Sequence, residues 1–599
     1  MNRLHVETEN ILFFFAFLLA IFFRFAALGA LPLTDAEAQS ALQALHLAQG
    51  MRPLLGPQPA YLLPTAALFF LFGTTNFLAR FIPALTGCLL VLVPWLFRQR
   101  LKPTPALLLA FFLSLDPGLI ALSRQAGSLM PALAFTLLTW AFWWKRHPRT
   151  AGALAALALL SGPALWPGLL GLGLAWGLGE VSRLQFAAST SAETPSLAEA
   201  PSEKDTSLQP LKRPGSDLPA ALTAGGAVIL LGGTLLFLSP NGMSAWLASL
   251  PDWLAGWRQS SGVPSSRLLL ALAVYQPLAI LFGLAALWRA IWQGRRRYAR
   301  LGLWLCMALL LAIVYPARQV SDLAWALLPL WTLAALELSN HFHPGPEESR
   351  EALVIGLLAA LMLVLAWLNY ANIALDPTNP ANITSTQLQF GGHILPEKLP
   401  PIRYLLLALL FLLLLVGMLM VALGWSARTA RLASVWGLTT ALGLYALGMA
   451  WSATGLRTPD GWELWMAGPR PAQANLLRET IEQLSTWNGG DGQSQEVTVV
   501  SLDSPALDWL LRDHHLRHVS GLDPLQTPPL VITPNQEGLN LSSAYRGQDF
   551  LWQQEPDWSN SNIHKWIHWS VFHKLPYTSN TILLWARTDL FPNAHPSLP

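Results

Sequence analysis

Charge is what this chain has least of. Lysine, arginine, aspartate and glutamate make up 12% of its 599 residues, against about 25% in an ordinary soluble domain. That is too little to clothe a soluble protein of this length. The net charge of +3 is too small to suggest a nucleic-acid-binding protein. Cysteine is almost missing. Cys88 and Cys306 are the only two, and both lie inside apolar runs, which argues against a disulfide framework or a cysteine-ligated metal. There is no Walker loop and no dinucleotide-binding fingerprint. The pairs Gly225-Gly226 and Gly232-Gly233 sit in or beside apolar runs, where glycine serves close helix packing.

What the chain has instead is apolar sequence, 53% of the whole. It is gathered into stretches near the roughly 20 residues that a membrane-crossing helix needs. Thirteen stretches qualify as candidate spans: 11–30, 78–97, 105–122, 128–144, 151–163, 164–179, 221–238, 267–293, 301–315, 322–338, 351–371, 403–424 and 432–451. Residues 151–179 read either as one helix or as two broken at Ser161-Gly162-Pro163. Tyr61–Phe72 is too short to cross and reads as a re-entrant or interfacial helix. No small-residue cleavage site follows the first run, so it is expected to be a retained span rather than a signal peptide.

The basic residues give the orientation. Arg98, Arg100 and Lys102, then Lys145, Arg146 and Arg149, then Arg295–Arg297 with Arg300, and Arg428 with Arg431 form the densest clusters. Cytoplasmic loops carry such clusters, which places the N-terminus in the cytoplasm and residues 452–599 outside. The expected organisation is an N-terminal membrane region (1–180) with a first outer loop at 31–77, a linker (181–219), further membrane helices (220–451) and a C-terminal domain (452–599). The linker is rich in Ser, Pro, Ala, Glu and Lys, a composition that cannot bury a core and is read as disordered and cytoplasmic. The last region differs. A helix is predicted over 471–487, a strand over 496–501, a helix over 504–514, and strands near 516–520, 529–533 and 580–586. That alternation predicts an extracytoplasmic α/β domain. An outer segment, 241–262, carries three tryptophans at helical spacing and is expected to lie on the outer leaflet. The sequon Asn382-Ile383-Thr384 lies in another outer loop.

The segment GALPLTDAEAQSALQALHLAQG (29–50) follows the first span. Thr34 and Glu37 fit a capping box, and acidic residues favour a helix N-terminus, so Asp35 and Glu37 suffice to start an amphipathic helix over 35–49. A carboxylate at the outer membrane face also suits general-base attack on a lipid-linked sugar. The two roles are compatible.

The first 150 residues resemble the membrane glycosyltransferases of the GT-C superfamily, in particular the bacterial branch of the protein O-mannosyltransferase and aminoarabinose transferase type (glycosyltransferase family 39). The features that carry the likeness come in order: the acidic loop LPLTDAEAQSAL, the helix PAYLLPTAALFFLFG (59–73), the span FLARFIPALTGCLLVLVPWLF (77–97) and the segment LSLDPGLIALSRQAGSL (113–129). More thinly, YPARQVSDLAWALLPLWTLAALEL (315–338) looks like a late span of the family. The resemblance implies a GT-C-like fold and a transferase using a polyprenyl-phosphate sugar donor, with membrane lipid and an extracytoplasmic acceptor as its other partners. It also implies catalytic carboxylates in the first outer loop, here Glu37 and Asp35, and basic residues on the lipid phosphate, here Arg80, Arg124 and Arg318. Each arginine has a structural alternative, snorkelling to head groups or pairing with an acid. The family usually has adjacent Asp-Glu. Here Glu37-Ala38 keeps the register and Asp35 is displaced by one residue, about 100° around a helix. Hence Asp35 reaches in from the loop, or Glu37 acts alone, or activity is lost. In the last case the chain serves as a transporter or flippase-associated component or a scaffold.

No cofactor is required by these residues, although the family leaves a divalent metal possible. His341 with His343, and His514, His515 and His518, lack carboxylates at ligand spacing and are read as non-metal. Asp116, Asp322 and Glu337 lie in or near spans. Asp322 is expected to pair with Arg318 one helical turn away, and Glu337 to be solvated at the cytoplasmic end.

Overall fold

The computed structural model describes residues 2–591, except 52, 193–216, 235, 238–240, 343–345, 376–388, 391–392, 395–401, 458–460, 467, 488–494, 536–541 and 560. Most of the linker, the sequon at 382–384 and His343 therefore lie outside the described residues.

The chain is a polytopic α-helical membrane protein with a C-terminal sheet domain. Each of the thirteen expected stretches falls mostly on helix among the described residues. Among the described residues, eight helices pass as spans by length and apolarity, or ten if each of two bent pairs is one span, against the thirteen expected. The helix Ile402–Gly424 has no fully buried residue in its most apolar stretch. Only lipid can solvate such a surface. The break at Gly162 is real: helices Pro148–Leu159 and Trp166–Ala192 flank a 3-10 turn, with Gly162 at φ +84°. The second of these helices runs eleven residues beyond Val181 into what the composition assigns to the linker. The tryptophan-bearing segment forms two short helices, Asn241–Leu247 and Ser249–Ala255, rather than one.

Six helices frame the site. They are α1 (Asn2–Phe25), α2 (Asp35–Ala48), α3 (Pro59–Phe72), α4 (Asn76–Leu96), α5 (Pro103–Leu115) and α6 (Pro117–Ser123). The expected span 105–122 is thus broken, with a 55° bend between α5 and α6. Proline lacks an N–H and disfavours helical geometry in the residue before it. Pro117 opens α6, and Asp116 caps it by accepting from Leu119 N at 2.6 Å. The expected span 267–293 breaks in the same way at Pro277, into α7 (Ser265–Tyr275) and α8 (Pro277–Gln293), bent by 95°. The two breaks meet: Gln276 Nε2 donates to Asp116 Oδ2 at 2.7 Å, and Trp331 Nε1 donates to the same oxygen. Arg24 lies beside them, fully buried, donating to Ser123 Oγ and to the carbonyls of Leu113 and Ser114. The Asp116 carboxylate and the Arg24 guanidinium both have protein partners, as buried charges require, while Gln276 Oε1 has none among the described residues.

Two intramembrane acids differ from expectation. Asp322 accepts from Gln319 N at 2.9 Å and caps a 3-10 turn instead of pairing with Arg318. Glu337 is 2% exposed and pairs with Arg289 Nη2 at 2.6 Å, because helix packing encloses the end that sequence alone leaves open.

The last long helix of the membrane region, α9 (Ala427–Ala453), leads into the C-terminal domain. Its sheet comprises β1 (Arg470–Pro471), β2 (Glu496–Val500), β3 (His515–Val519), β4 (Leu530–Pro534), β5 (Tyr545–Pro556) and β6 (Tyr577–Arg587), in the order β1-β5-β6-β4-β2-β3. β2 runs parallel to β3 and β4, and the remaining pairs are antiparallel. Buried on both faces over 497–500 and 530–533, β2 and β4 are there Val/Ile/Leu runs with one threonine each. Helices α10 (Ala474–Trp487), α11 (Pro505–Leu510) and α12 (Ile563–Phe572) complete the domain.

Candidate active site

The first outer loop folds as a local consequence of its sequence. Thr34 is the N-cap of α2 and Glu37 its third residue, and the capping box forms: Thr34 N donates to Glu37 Oε2 at 3.1 Å. The same carboxylate has a second employment. Arg80, on α4, donates Nε to Glu37 Oε1 at 2.7 Å and Nη2 to Oε2 at 2.8 Å, a bidentate pair. Arg80 also donates to the carbonyls of Leu28, Leu31 and Pro32, fastening the turn between α1 and α2. Ala126 N reaches Glu37 Oε1 at 2.9 Å. Burial alone pushes the Glu37 carboxyl up. The adjacent Arg80 charge and the hydrogen bonds from Arg80, Ala126 and Thr34 outweigh it and hold the group below the usual carboxylate range.

Arg124 follows α6. Its guanidinium donates to the carbonyls of Phe23, Arg24, Ala26 and Ala27, at and just past the C-terminus of α1, and to Thr454 O just past α9. A cation there favours the helix dipole and satisfies orphan carbonyls. Among the described residues no carboxylate lies within ion-pair distance of it.

Glu37, Arg80 and Arg124 line one cleft, about 820 Å³ including its mouth. Its other wall comes from the far end of the chain: Ser452, Thr454, Glu463, Trp465 and Arg470. Gln125 ties the walls together by donating to Trp465 O at 2.7 Å. Arg470 is buried, with its guanidinium 4.7 Å from the centre of the Trp462 ring. Glu463 accepts from Ser452 Oγ at 2.8 Å and from Tyr275 Oη, and His573 Nδ1 lies 3.2 Å from it. Burial alone pushes the Glu463 carboxyl up, yet His573, Tyr275 and Ser452 together hold it low.

The other two expected site residues are elsewhere. Asp35 turns to the C-terminal domain, accepting from Ser504 Oγ at 2.7 Å, from Ala506 N in the first turn of α11 at 3.0 Å, and from Gln553 Nε2. Arg318 lies in the turn before the 3-10 helix Val320–Leu323, donating to Tyr315 O, and does not line the cleft. Glu463 and Arg470 were not singled out from sequence. Their only signal is position, just past the last span, in a stretch with no periodicity of its own.

Among the described residues no group of three or more His, Cys, Asp or Glu side chains is placed to hold a metal. His518 Nε2 instead lies 3.1 Å from Asp508 Oδ1.

The family model for dolichyl-phosphate-mannose-protein mannosyltransferase matches residues 38–178. The match contains Arg80 and Arg124 and begins one residue after Glu37. No curated protein matches in sequence. Among solved structures, ArnT from Cupriavidus metallidurans bound to undecaprenyl phosphate is similar with a TM-score of 0.50 at 14% identity, over 88% of this chain and 92% of that one. The apo form of ArnT gives 0.45 at 15% identity, over 88% and 93%. The Archaeoglobus fulgidus oligosaccharyltransferase, in complex with Zn and sulfate, gives 0.36 at 12% identity, over 87% and 68%. The expected likeness to GT-C glycosyltransferases therefore stands, in sequence over residues 38–178 and in fold over most of the chain. The family match and the shared fold support a membrane glycosyltransferase.

Proposed function

We propose that the chain moves a sugar from a polyprenyl-phosphate-linked donor to an extracytoplasmic acceptor, and that the cleft lined by Glu37, Arg80 and Arg124 is where it does so. The carrying observation is Arg124, a guanidinium on the cleft wall with carbonyls but no carboxylate beside it. Those carbonyls take up the Nη hydrogens but do not neutralise the charge, so this partly buried cation is suited electrostatically to an anion. ArnT, whose fold is similar, is described bound to undecaprenyl phosphate.

In this reading Arg124 takes the donor phosphate, with Arg470 across the cleft. Glu37 holds Arg80 and the Ala126 amide in place, so that the cationic wall is set before donor arrives. As the bond from the sugar to phosphate oxygen breaks, charge grows on the departing phosphate, where preorganised donors are most effective. The basic loops support a cytoplasmic N-terminus, and this reading puts the cleft and the C-terminal domain on the opposite side. Asp35 acts as a clasp to that domain.

The test is release of polyprenyl phosphate from a panel of labelled polyprenyl-phosphate sugars, using membranes carrying the protein or its Arg124→Gln form. The expected result is release by the unaltered protein and weak donor binding by the variant. Failure to release carrier from any donor, with the protein folded and inserted, would favour a catalytically inactive GT-C-like protein acting in transport or as a scaffold.

A further inference from the structure

Two acids line the cleft among the described residues, Glu37 and Glu463. A general base needs a lone pair turned to the substrate, and a carboxylate has about four such positions. Glu37 has none left. Its Oε1 accepts from Arg80 and Ala126, and its Oε2 accepts from Arg80 and from both the amide and hydroxyl of Thr34. Its side chain is 4% exposed. Asp35 is spent on Ser504, Ala506 and Gln553. Glu463 is different. It has three polar neighbours, Ser452, Tyr275 and His573, and a side chain 12% exposed. Its neighbours also fix its direction. Tyr275 Oη is itself held by Leu464 N at 3.2 Å, and the His573 ring lies against Trp569 and Tyr275.

We infer that Glu463, rather than an acid of the first outer loop, is the catalytic base of this cleft, with Tyr275, Ser452 and His573 as its positioning residues. The inference rests on the transferase reading. The acceptor O–H bond breaks and its proton goes to Glu463. The acceptor oxygen bonds to the anomeric carbon. The bond from that carbon to phosphate oxygen breaks, and its electron pair leaves on the polyprenyl phosphate beside Arg124. The proton passes to water once product departs. The displaced aspartate of the Asp-Ala-Glu sequence then needs no catalytic explanation, because the base comes from the other end of the chain.

The experiment measures donor binding and carrier release separately, on the full-length protein in membranes, with the labelled donor that the unaltered protein turns over. Glu463→Gln is expected to bind that donor normally and to release carrier at least about 100-fold more slowly, the lower end of a general-base contribution. Glu463→Asp should restore part of the rate. If Glu463→Gln does not accumulate, Tyr275→Phe decides. Removing that hydroxyl takes a donor from the carboxylate and raises its basicity. The acid limb of the rate profile then moves to higher pH. The other charged or titratable groups near Glu463 are His573, Tyr445 on α9 and the cleft arginines Arg124 and Arg470, and this variant leaves all of them intact. A folded, donor-binding Glu463→Gln that releases carrier at the wild-type rate, or a Tyr275→Phe profile that does not move, overturns the inference and leaves the transferase reading standing. No release by the unaltered protein from any donor removes both.

Discussion

Replacing Glu37 by glutamine keeps the shape of the side chain and removes its charge. Arg80 would then be left with three backbone carbonyls and a neutral amide in a place where its side chain is 8% exposed. Breaking one half of a buried, hydrogen-bonded pair typically costs about 3–5 kcal/mol. The glutamine oxygen retains part of the capping interaction, which sets the expectation near the lower end, about 3 kcal/mol. The pH dependence gives a second handle. The Glu37 carboxyl is held below its ordinary value in the folded protein. Its contribution is therefore fully present above the unfolded-state pKa, and is lost as pH falls through the lower folded-state value. The stability gap between wild type and Glu37→Gln should be widest near neutrality and should close in acid. The assay is unfolding in detergent across that pH range, monitored by tryptophan fluorescence. Arg80→Gln should cost a similar amount, and the double variant less than the sum, with a coupling of about 1–3 kcal/mol. A glutamine variant as stable as wild type near neutrality, or a gap indifferent to acid, would refute the reasoning.

Three further outcomes are expected. Asp35→Ala should loosen the C-terminal domain, costing about 1–3 kcal/mol as buried partners lose an acceptor, and limited proteolysis should cut sooner in the domain. Gly118→Ala places a methyl 2.6 Å from Trp465, so the indole must move. Carrier release should fall while the protein remains inserted, and an unchanged rate would show that the Trp465 position is immaterial. Arg289→Met leaves Glu337, whose side chain is 3% exposed, with only the more distant His341 Nε2 at 3.6 Å as an ion-pair partner among the described residues. It should destabilise by about 3–5 kcal/mol, read as a lower unfolding midpoint in detergent.

Much of the architecture was legible because apolar length and helix caps are local signals. Thr34 and Glu37 announce α2, and Ser161-Gly162-Pro163 marks a break. The bends at Asp116 and Gln276 were harder. Proline follows each, but membrane helices tolerate proline when neighbours satisfy the freed groups, so the residue alone does not settle whether the helix bends. The longest strand of the domain, Tyr545–Pro556, was missed because YRGQDFLWQQEP is polar and holds a glycine. It is made by pairing along its length with Tyr577–Arg587, which is a non-local cause. The site divided in the same way. Glu37 and Asp35 stood out by position, and the basic partners Arg80 and Arg124 by their place near spans. What each carboxylate faces depends on residues more than 40 positions away for Glu37 and about 470 away for Asp35. Glu463 has no motif around it and acquires its surroundings only when α7, α9 and α12 converge.

That convergence has a consequence for how the protein is made. One wall of the cleft is laid down within the first 130 residues, and the other waits for residues 452–470. Asp35 finds Ser504 and Gln553 only after nearly the whole chain exists. A nascent protein emerging from the ribosome therefore carries half a cleft through most of its insertion. A product truncated before the final membrane helix would keep Arg80 and Arg124 and lack Arg470 and the rest of the surface opposite them. Assembly itself then acts as the licence for activity, and incomplete molecules in the bilayer stay silent toward lipid-linked sugars.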